Sequence, residues 1–179
     1  MSFWKKFFKN TRVDTKSSNT VSTTSINRIL LVKHLENKGQ IANIYISLNN
    51  QINLYELEKL CDAVGWVRRP IKKVKTAIDH SFLTVSLLYE HNHKKQLIGF
   101  ARATSDNAFN ATIWDVVIHP EFQGKGLGKA LMNQTIKHLR YADISTITLF
   151  ADPNVVSFYR NLGFVADPDG VKGMFWYPL

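Results

Sequence analysis

The sequence predicts an α/β protein with a mixed sheet, on two observations. From residue 81 three strand-like runs follow one another across short polar breaks, and from residue 111 strand-like and helix-like segments alternate. Strands joined by tight turns pair antiparallel, whereas strands separated by a helix of a dozen residues or more pair in parallel across it. One sheet, antiparallel in the middle and parallel where the long helix crosses, accommodates both patterns.

The elements follow in order. Residues 1 to about 25 read as a tail, because "TRVDTKSSNTVSTTS" is rich in Ser and Thr and poor in apolar side chains. Phe3, Trp4, Phe7 and Phe8 stand at helical spacing opposite Lys5, Lys6 and Lys9, so this tail can lie on a membrane surface. Residues 26–179 are then one domain, opened by an extended "INRILLVK" and an alternating strand "IANIYISL". "NLYELEKLCDAVGW" carries Leu54, Leu57, Cys61 and Val64 on one helical stripe and stops at Gly65. Pro70 starts a second helix with Ile71, Val74 and Ile78 on one face.

The three strands "SFLTVSLLYE", "KQLIGFARAT" and "ATIWDVVIH" come next. A helix from the glycine turn to about Arg140 should bury Leu127, Leu131, Ile136 and Leu139. A strand "STITLFA", a short helix "NVVSFYRNLG" and a final strand "GMFWYP" complete the chain. Cys61, the only cysteine, reads as a small core residue; no internal disulfide and no cysteine metal cluster are possible.

Lys and Arg number 23 against 14 Asp and Glu, so anionic partners are favoured. Nucleic acid is one such partner, but the basic residues disperse along the chain and no reader helix or aromatic RNA platform stands out, so no specific nucleic-acid binding is expected. No stretch reaches the roughly 18 apolar residues of a membrane span. No metal is expected, since the histidines lack carboxylate or thiol partners at ligand spacing; His91 and His93 are noted and discounted. His119 reads as a solvated loop residue.

The most informative stretch is "HPEFQGKGLGKALM". A strand runs into Gly124, Gly126 and Gly128 and then into an amphipathic helix, which places free amide N–H groups and the positive end of the helix dipole together. Lys125 and Lys129 add charge at the same end. A Walker A loop is excluded, because Gln123 replaces its first glycine and Ala130 its hydroxyl residue. A dinucleotide fingerprint is excluded by Lys129 at its third glycine, and Asp143 precedes the next strand where an acid should end it. What remains is Gln-Gly-x-Gly-x-Gly after a strand, a phosphate turn or a bare tight turn.

"VVIHPEFQGKGLGKAL" resembles the pyrophosphate-binding motif of the GNAT superfamily of acetyl-CoA-dependent N-acetyltransferases, and "LFADPNVVSFYRNLGF" resembles its second block. "LEKLCDAVGW", "QLIGFARATSDNAFNATIWDVV" and "KGMFWYP" are similar to plant chloroplast members, the serotonin, lysine and N-terminal acetyltransferases, and to relatives encoded in algal plastids. The resemblance implies the GNAT acyl-CoA N-acyltransferase fold, with a splayed parallel strand pair, from about residue 50 onward.

It also implies roles. Main-chain groups of Val116, Val117 and Ile118 would hold the pantetheine arm of acetyl-CoA, and Gln123, Gly124, Lys125, Gly126, Leu127, Gly128 and Lys129 its pyrophosphate. Tyr159 would protonate the departing CoA thiolate. Asp152 stands where the superfamily usually has asparagine, with Asn154 nearby, so that it becomes the first candidate for the base that takes the amine proton; helix N-capping is the competing reading. Asp115 is the second candidate, against a hydrogen-bonded structural carboxylate. Trp66 and Arg68, between the two early helices, would face the acceptor. Trp114 and the Phe175, Trp176 and Tyr177 run read as packing.

The acceptor implied is a primary amine, on a protein lysine or N-terminus or on a small arylalkylamine. A CoA-binding regulator without catalysis is the alternative. The expected location is the plastid stroma, from a plastid-encoded gene, or else the cytoplasm of a cyanobacterium-like cell, and the chain is expected to be a monomer or a homodimer.

Overall fold

The computed structural model describes residues 28–177 apart from 38 and 93, so the expected tail over 1–25 lies outside the described residues. Two compact units divide the chain, one of Ser22–Phe150 and one that contains Ala151–Leu179.

The first unit is built on one six-stranded sheet in the order β1-β2-β3-β4-β5-β6. Its strands are β1 (Arg28–Asn37), β2 (Gln40–Ser47), β3 (Leu83–His91), β4 (Lys94–Ser105), β5 (Asn110–Ile118) and β6 (Thr146–Leu149). Every neighbouring pair is antiparallel except β5 with β6, which is parallel across the long helix. The mixed sheet inferred from the order of elements is therefore present. β1 runs four residues beyond the extended segment that its apolar pattern marked, because pairing with β2 carries the polar residues up to Asn37.

Helix α1 (Leu54–Ala63) begins where the Asn53 side chain accepts bonds from the N–H groups of Tyr55 and Glu56. It ends in a Schellman motif: Gly65, at φ 76°, donates to Asp62, and the Trp66 N–H donates to the Cys61 carbonyl at 3.1 Å. Pro70 then caps α2 (Ile71–Asp79). Both helices pack on one face of the sheet, where Leu57, Leu60 and Ile78 meet Leu97, Phe100 and Val117.

Helix α3 (Leu127–Tyr141) covers the other face, with Leu127 and Leu131 against Ile44, Ile46, Val85, Leu87 and Ile98. Its buried stripe is Leu127, Leu131, Met132, Thr135 and Leu139. Ile136 is only half-buried, and Thr135 takes an inward place by bonding its hydroxyl to the Leu131 carbonyl at 2.9 Å.

Gly99 marks a close approach beside β5. A Cβ there would stand 2.7 Å from Ile118 Cδ1 and 3.1 Å from Leu87 Cδ1.

In the second unit a 3-10 turn (Pro153–Val155) leads into α4 (Val156–Arg160). The final strand expected over "GMFWYP" is not formed: residues 171–177 adopt no regular structure, and Met174, Phe175, Trp176 and Tyr177 are exposed. β propensity alone does not make a strand, which also needs a hydrogen-bonded neighbour. Trp176 stands exposed, against its reading as packing, whereas the Phe175 ring stacks on Tyr177.

Gly99→Ala should destabilise the fold by about 1–3 kcal/mol through overpacking against Ile118 and Leu87, measured by urea unfolding.

Candidate active site

The site in the first unit is built at the end of β5. β5 and β6 pair over only four residues each, from Asn110 with Thr146 to Ile113 with Leu149. β5 continues to Ile118, still paired with β4 through Val117 and Ile118, so among the described residues no strand pairs with the β6 side of Asp115, Val116, Val117 and Ile118. An extended amide-bearing arm can add there as a strand does.

The pairing with β4 is interrupted at the same place. Arg102 faces Trp114 and Phe100 faces Val117, so Asp115 and Val116 share the single position opposite Ala101. Asp115 takes the left-handed region at φ 54°. An aspartate tolerates this better than most residues, and two arginines hold it. Arg69 Nη1 donates to Asp115 Oδ1 at 2.9 Å and Arg102 Nε donates to Oδ2 at 2.5 Å. Both carboxylate oxygens are thus engaged with cations in a half-buried position, the arrangement of a structural tie.

Beyond Ile118 the chain turns through Pro120–Phe122, where His119 Nδ1 accepts the Glu121 N–H, a capping role for the loop histidine. The Gln123 side chain donates to the Ile118 carbonyl at 2.9 Å, tying the turn to the strand end. Gly124 and Gly126 follow at φ 72° and 77°, and Gly126 is the N-cap of α3. The first bond of the helix runs from the Ala130 N–H to the Gly126 carbonyl, so the amides of Leu127, Gly128 and Lys129 have no acceptor within it.

Nothing stands within 4 Å of a Cβ added at Gly124 or Gly126. The protein does not crowd these positions; positive φ and the space above the amides require glycine there. Such a cradle fits a diphosphate. Lys125 and Lys129 are exposed at its rim, with Lys125 Nζ 3.4 Å from the Glu36 carbonyl.

Trp66 and Arg68 lie on the exposed loop between α1 and α2. Arg68 grips Asp62 with two bonds, at 3.1 and 2.6 Å, which commits its guanidinium to α1. Arg69, its neighbour, reaches Asp115 instead. A recess between the helices is lined by Leu57, Cys61, Asp62, Arg69 and Val74. Burial pushes the Cys61 thiol up, against the pull of Arg69, so it is not an activated nucleophile.

Arg102 is the residue that the sequence reading missed. Its signal was a charge within the apolar run from Leu97 to Ala103, two positions from the core residue Phe100 and one strand away from Asp115.

In the second unit Asp152 precedes the 3-10 turn with extended φ and ψ, and its carboxylate makes no capping bond. Its main-chain carbonyl accepts the Val155 N–H at 3.0 Å, so the side chain is not consumed by the turn. Asn154 is exposed beside it. Tyr159 is half-buried on α4 between the rings of Phe158 and Phe164, both in edge-on contact. Burial, and secondarily the charge of Asp152, push its phenol up from the usual value near 10, so it stays protonated at neutral pH. Among the described residues no group of three His, Cys, Asp or Glu can hold a metal ion.

The family model described as "Acetyltransferase (GNAT) domain" matches residues 70–173. The chain is 67% identical, over 100% of both sequences, to a protein of Gracilaria tenuistipitata var. liui named "Uncharacterized N-acetyltransferase ycf52". It is 48% identical to "GCN5-related N-acetyltransferase 2, chloroplastic" of Arabidopsis thaliana, covering 83% of this chain and 64% of that one. Among solved structures, a probable acetyltransferase from Staphylococcus aureus shares the fold with a TM-score of 0.63 at 18% identity, covering 75% of this chain and 99% of that one. A strand that parts from its parallel neighbour and enters a glycine turn is thus joined to a family match over more than half the sequence, and the chain belongs to the GNAT family of N-acetyltransferases.

Proposed function

We propose that residues 26–179 form an acetyltransferase domain that moves the acetyl group of acetyl-CoA directly onto a primary amine, on a protein lysine or N-terminus or on an arylalkylamine. The observation that carries this reading is the open edge of β5 running into the Gly124 and Gly126 turn at the head of α3. Acetyl-CoA supplies the thioester; the chain supplies alignment, amide donors and charge control. Main-chain groups of Val116, Val117 and Ile118 bind the pantetheine arm, and the turn from Gln123 to Lys129 binds the diphosphate.

Tyr159 donates a proton to the departing thiolate, a role that suits a phenol kept protonated by burial. Asp152 is the proton acceptor for the amine, directly or through water, since its carboxylate is free of the turn that follows. Asn154 assists the binding of acetyl-CoA. Asp115, with both oxygens taken by arginines, holds the bulge in place and leaves the base role to Asp152. Trp66 borders the entry of the acceptor, and Arg68 braces that border from Asp62. The name of the Arabidopsis relative supports a plastid location.

Incubation of the purified chain with acetyl-CoA and a mixed library of amines and peptides, read by mass spectrometry, tests this function; no acetylated product above background would refute it. Gly126→Val should weaken acetyl-CoA binding by at least about tenfold, through strain at φ 77° and a side chain over the amides, as calorimetry will show.

Tyr159→Phe should lower kcat by about 100-fold with little change in acetyl-CoA affinity. Because the folded phenol titrates above 10, that loss should be constant between pH 6 and 9. Asp152→Asn should cost most at low pH, where an alkylamine of pKa about 10.4 is almost wholly protonated. It also removes one of the two causes that raise Tyr159, moving the phenol down toward its usual value; a loss equal at every pH would assign Asp152 to binding.

A further inference from the structure

We propose that Arg102 is a specificity-determining residue: its guanidinium receives a carboxylate that the acceptor carries beside its amine, so that an amine in an acidic setting is preferred. The proposal rests on the acetyltransferase reading given above. Arg102 stands on β4 opposite Thr84 of β3 and Trp114 of β5, with its side chain only 13% exposed. Phe100, two residues earlier on the same strand, packs under α1 and α2, so Arg102 faces that side of the sheet as well. α3 covers the opposite side.

Charge in this corner does not balance. Among the described residues Asp115 is the one carboxylate that meets Arg102, and it meets Arg69 too. Arg69 alone would neutralise it. Arg102 therefore brings a second positive charge to a place where its side chain is nearly withdrawn from water, which is costly until another anion arrives. The neighbours in register supply none. Thr84 is uncharged and its hydroxyl donates to Asn50 Oδ1 at 2.8 Å, while the Trp114 indole N–H donates to Thr104 Oγ1 at 3.0 Å.

Hydrogen bonding points the same way. A guanidinium carries N–H donors on three nitrogens, and Arg102 commits only Nε–H, to Asp115 Oδ2 at 2.5 Å; among the described residues no acceptor meets Nη1 or Nη2. Neither Nη atom is sealed from solvent, so a ligand can reach both. A carboxylate pairs with two parallel N–H groups of one guanidinium and brings the missing negative charge. The place is the one an acceptor needs. Asp115 directly precedes the Val116 to Ile118 segment assigned to the pantetheine arm, and Arg69 fastens the loop of Trp66 to the same carboxylate. An acceptor with a carboxylate gains the contact, and an arylalkylamine without one does not.

Two pairs of acceptors that differ only by a carboxylate and its amide test this: acetyl-Asp-Lys amide against acetyl-Asn-Lys amide, and an Asp-initiated against an Asn-initiated peptide. In whichever pair wild type acetylates, KM should be about tenfold lower for the acidic member, and added salt should narrow the gap. Arg102→Gln should bring the two members within about twofold of each other by raising KM of the acidic one, and Arg102→Lys, which keeps the charge but not the paired donors, should keep an intermediate preference. A residue that only braces Asp115 would slow both members alike. Wild type without the preference, or Arg102→Gln that retains it, overturns the proposal.

If wild type acetylates none of the four, the acetyltransferase reading fails separately. The anion site is then judged by the NMR signal of the Arg102 Nε–H in the purified chain, titrated with acetyl-Asp-Lys amide and with acetyl-Asn-Lys amide. A saturable shift with the acidic probe alone upholds the site, and equal shifts or none overturn it. The same titration decides the matter if neither variant folds.

Discussion

Backbone hydrogen bonding along β5 governs the functional half of this molecule. A parallel pair that stops after Ile113 and Leu149 leaves β5, beyond that point, with β4 as its one strand neighbour among the described residues. Buried main-chain groups are seldom left without partners, so an edge of this kind in the middle of a sheet suits the proposed pantetheine arm, which brings its own amides. The edge is kept rigid from the other side, where β4 pairs as far as Gly99 with Ile118. Gly99 is small because Ile118 and Leu87 close over it, and so the packing of the core and the position of the open strand are one requirement.

The bulge at Asp115 and Val116 links that edge to the α1 and α2 side. An extra residue turns Asp115 toward Arg102 on its own sheet and Arg69 on the loop. The carboxylate thereby offsets two cations and a left-handed backbone at once. Without it, two guanidiniums would confront each other beside the strand, an arrangement costly in a half-buried place. The same tie connects the loop that follows the Schellman motif of α1 to the strand that would carry the thioester.

At the other end of β5 the two positive-φ glycines do a different task. Neither is forced by neighbours, since a Cβ at either would meet nothing within 4 Å. Their conformations aim successive N–H groups outward at the head of α3, where the helix has no acceptors to give them. Open space above unpaired amides is what separates an anion cradle from a tight turn that merely connects two elements.

Local chemistry accounts for what was legible from residues alone: Asn53 and Gly65 bounding α1, Pro70 starting α2, the apolar periods of α1 and α3, and the glycine turn between β5 and α3. The order of elements was enough to expect antiparallel pairing that ends in one parallel pair. Neither partner choice nor register can be read that way, because both depend on residues far apart in the chain. The tie from Asp115 to Arg69 spans 46 positions and the stack of Trp114 on Phe150 spans β5 to β6. Trp114 read as packing and proved exposed, and the aromatic run at 174–177 read as a strand and formed none. In each case an apolar residue states a preference for burial or pairing, and only the arrangement of neighbours decides whether that preference is met.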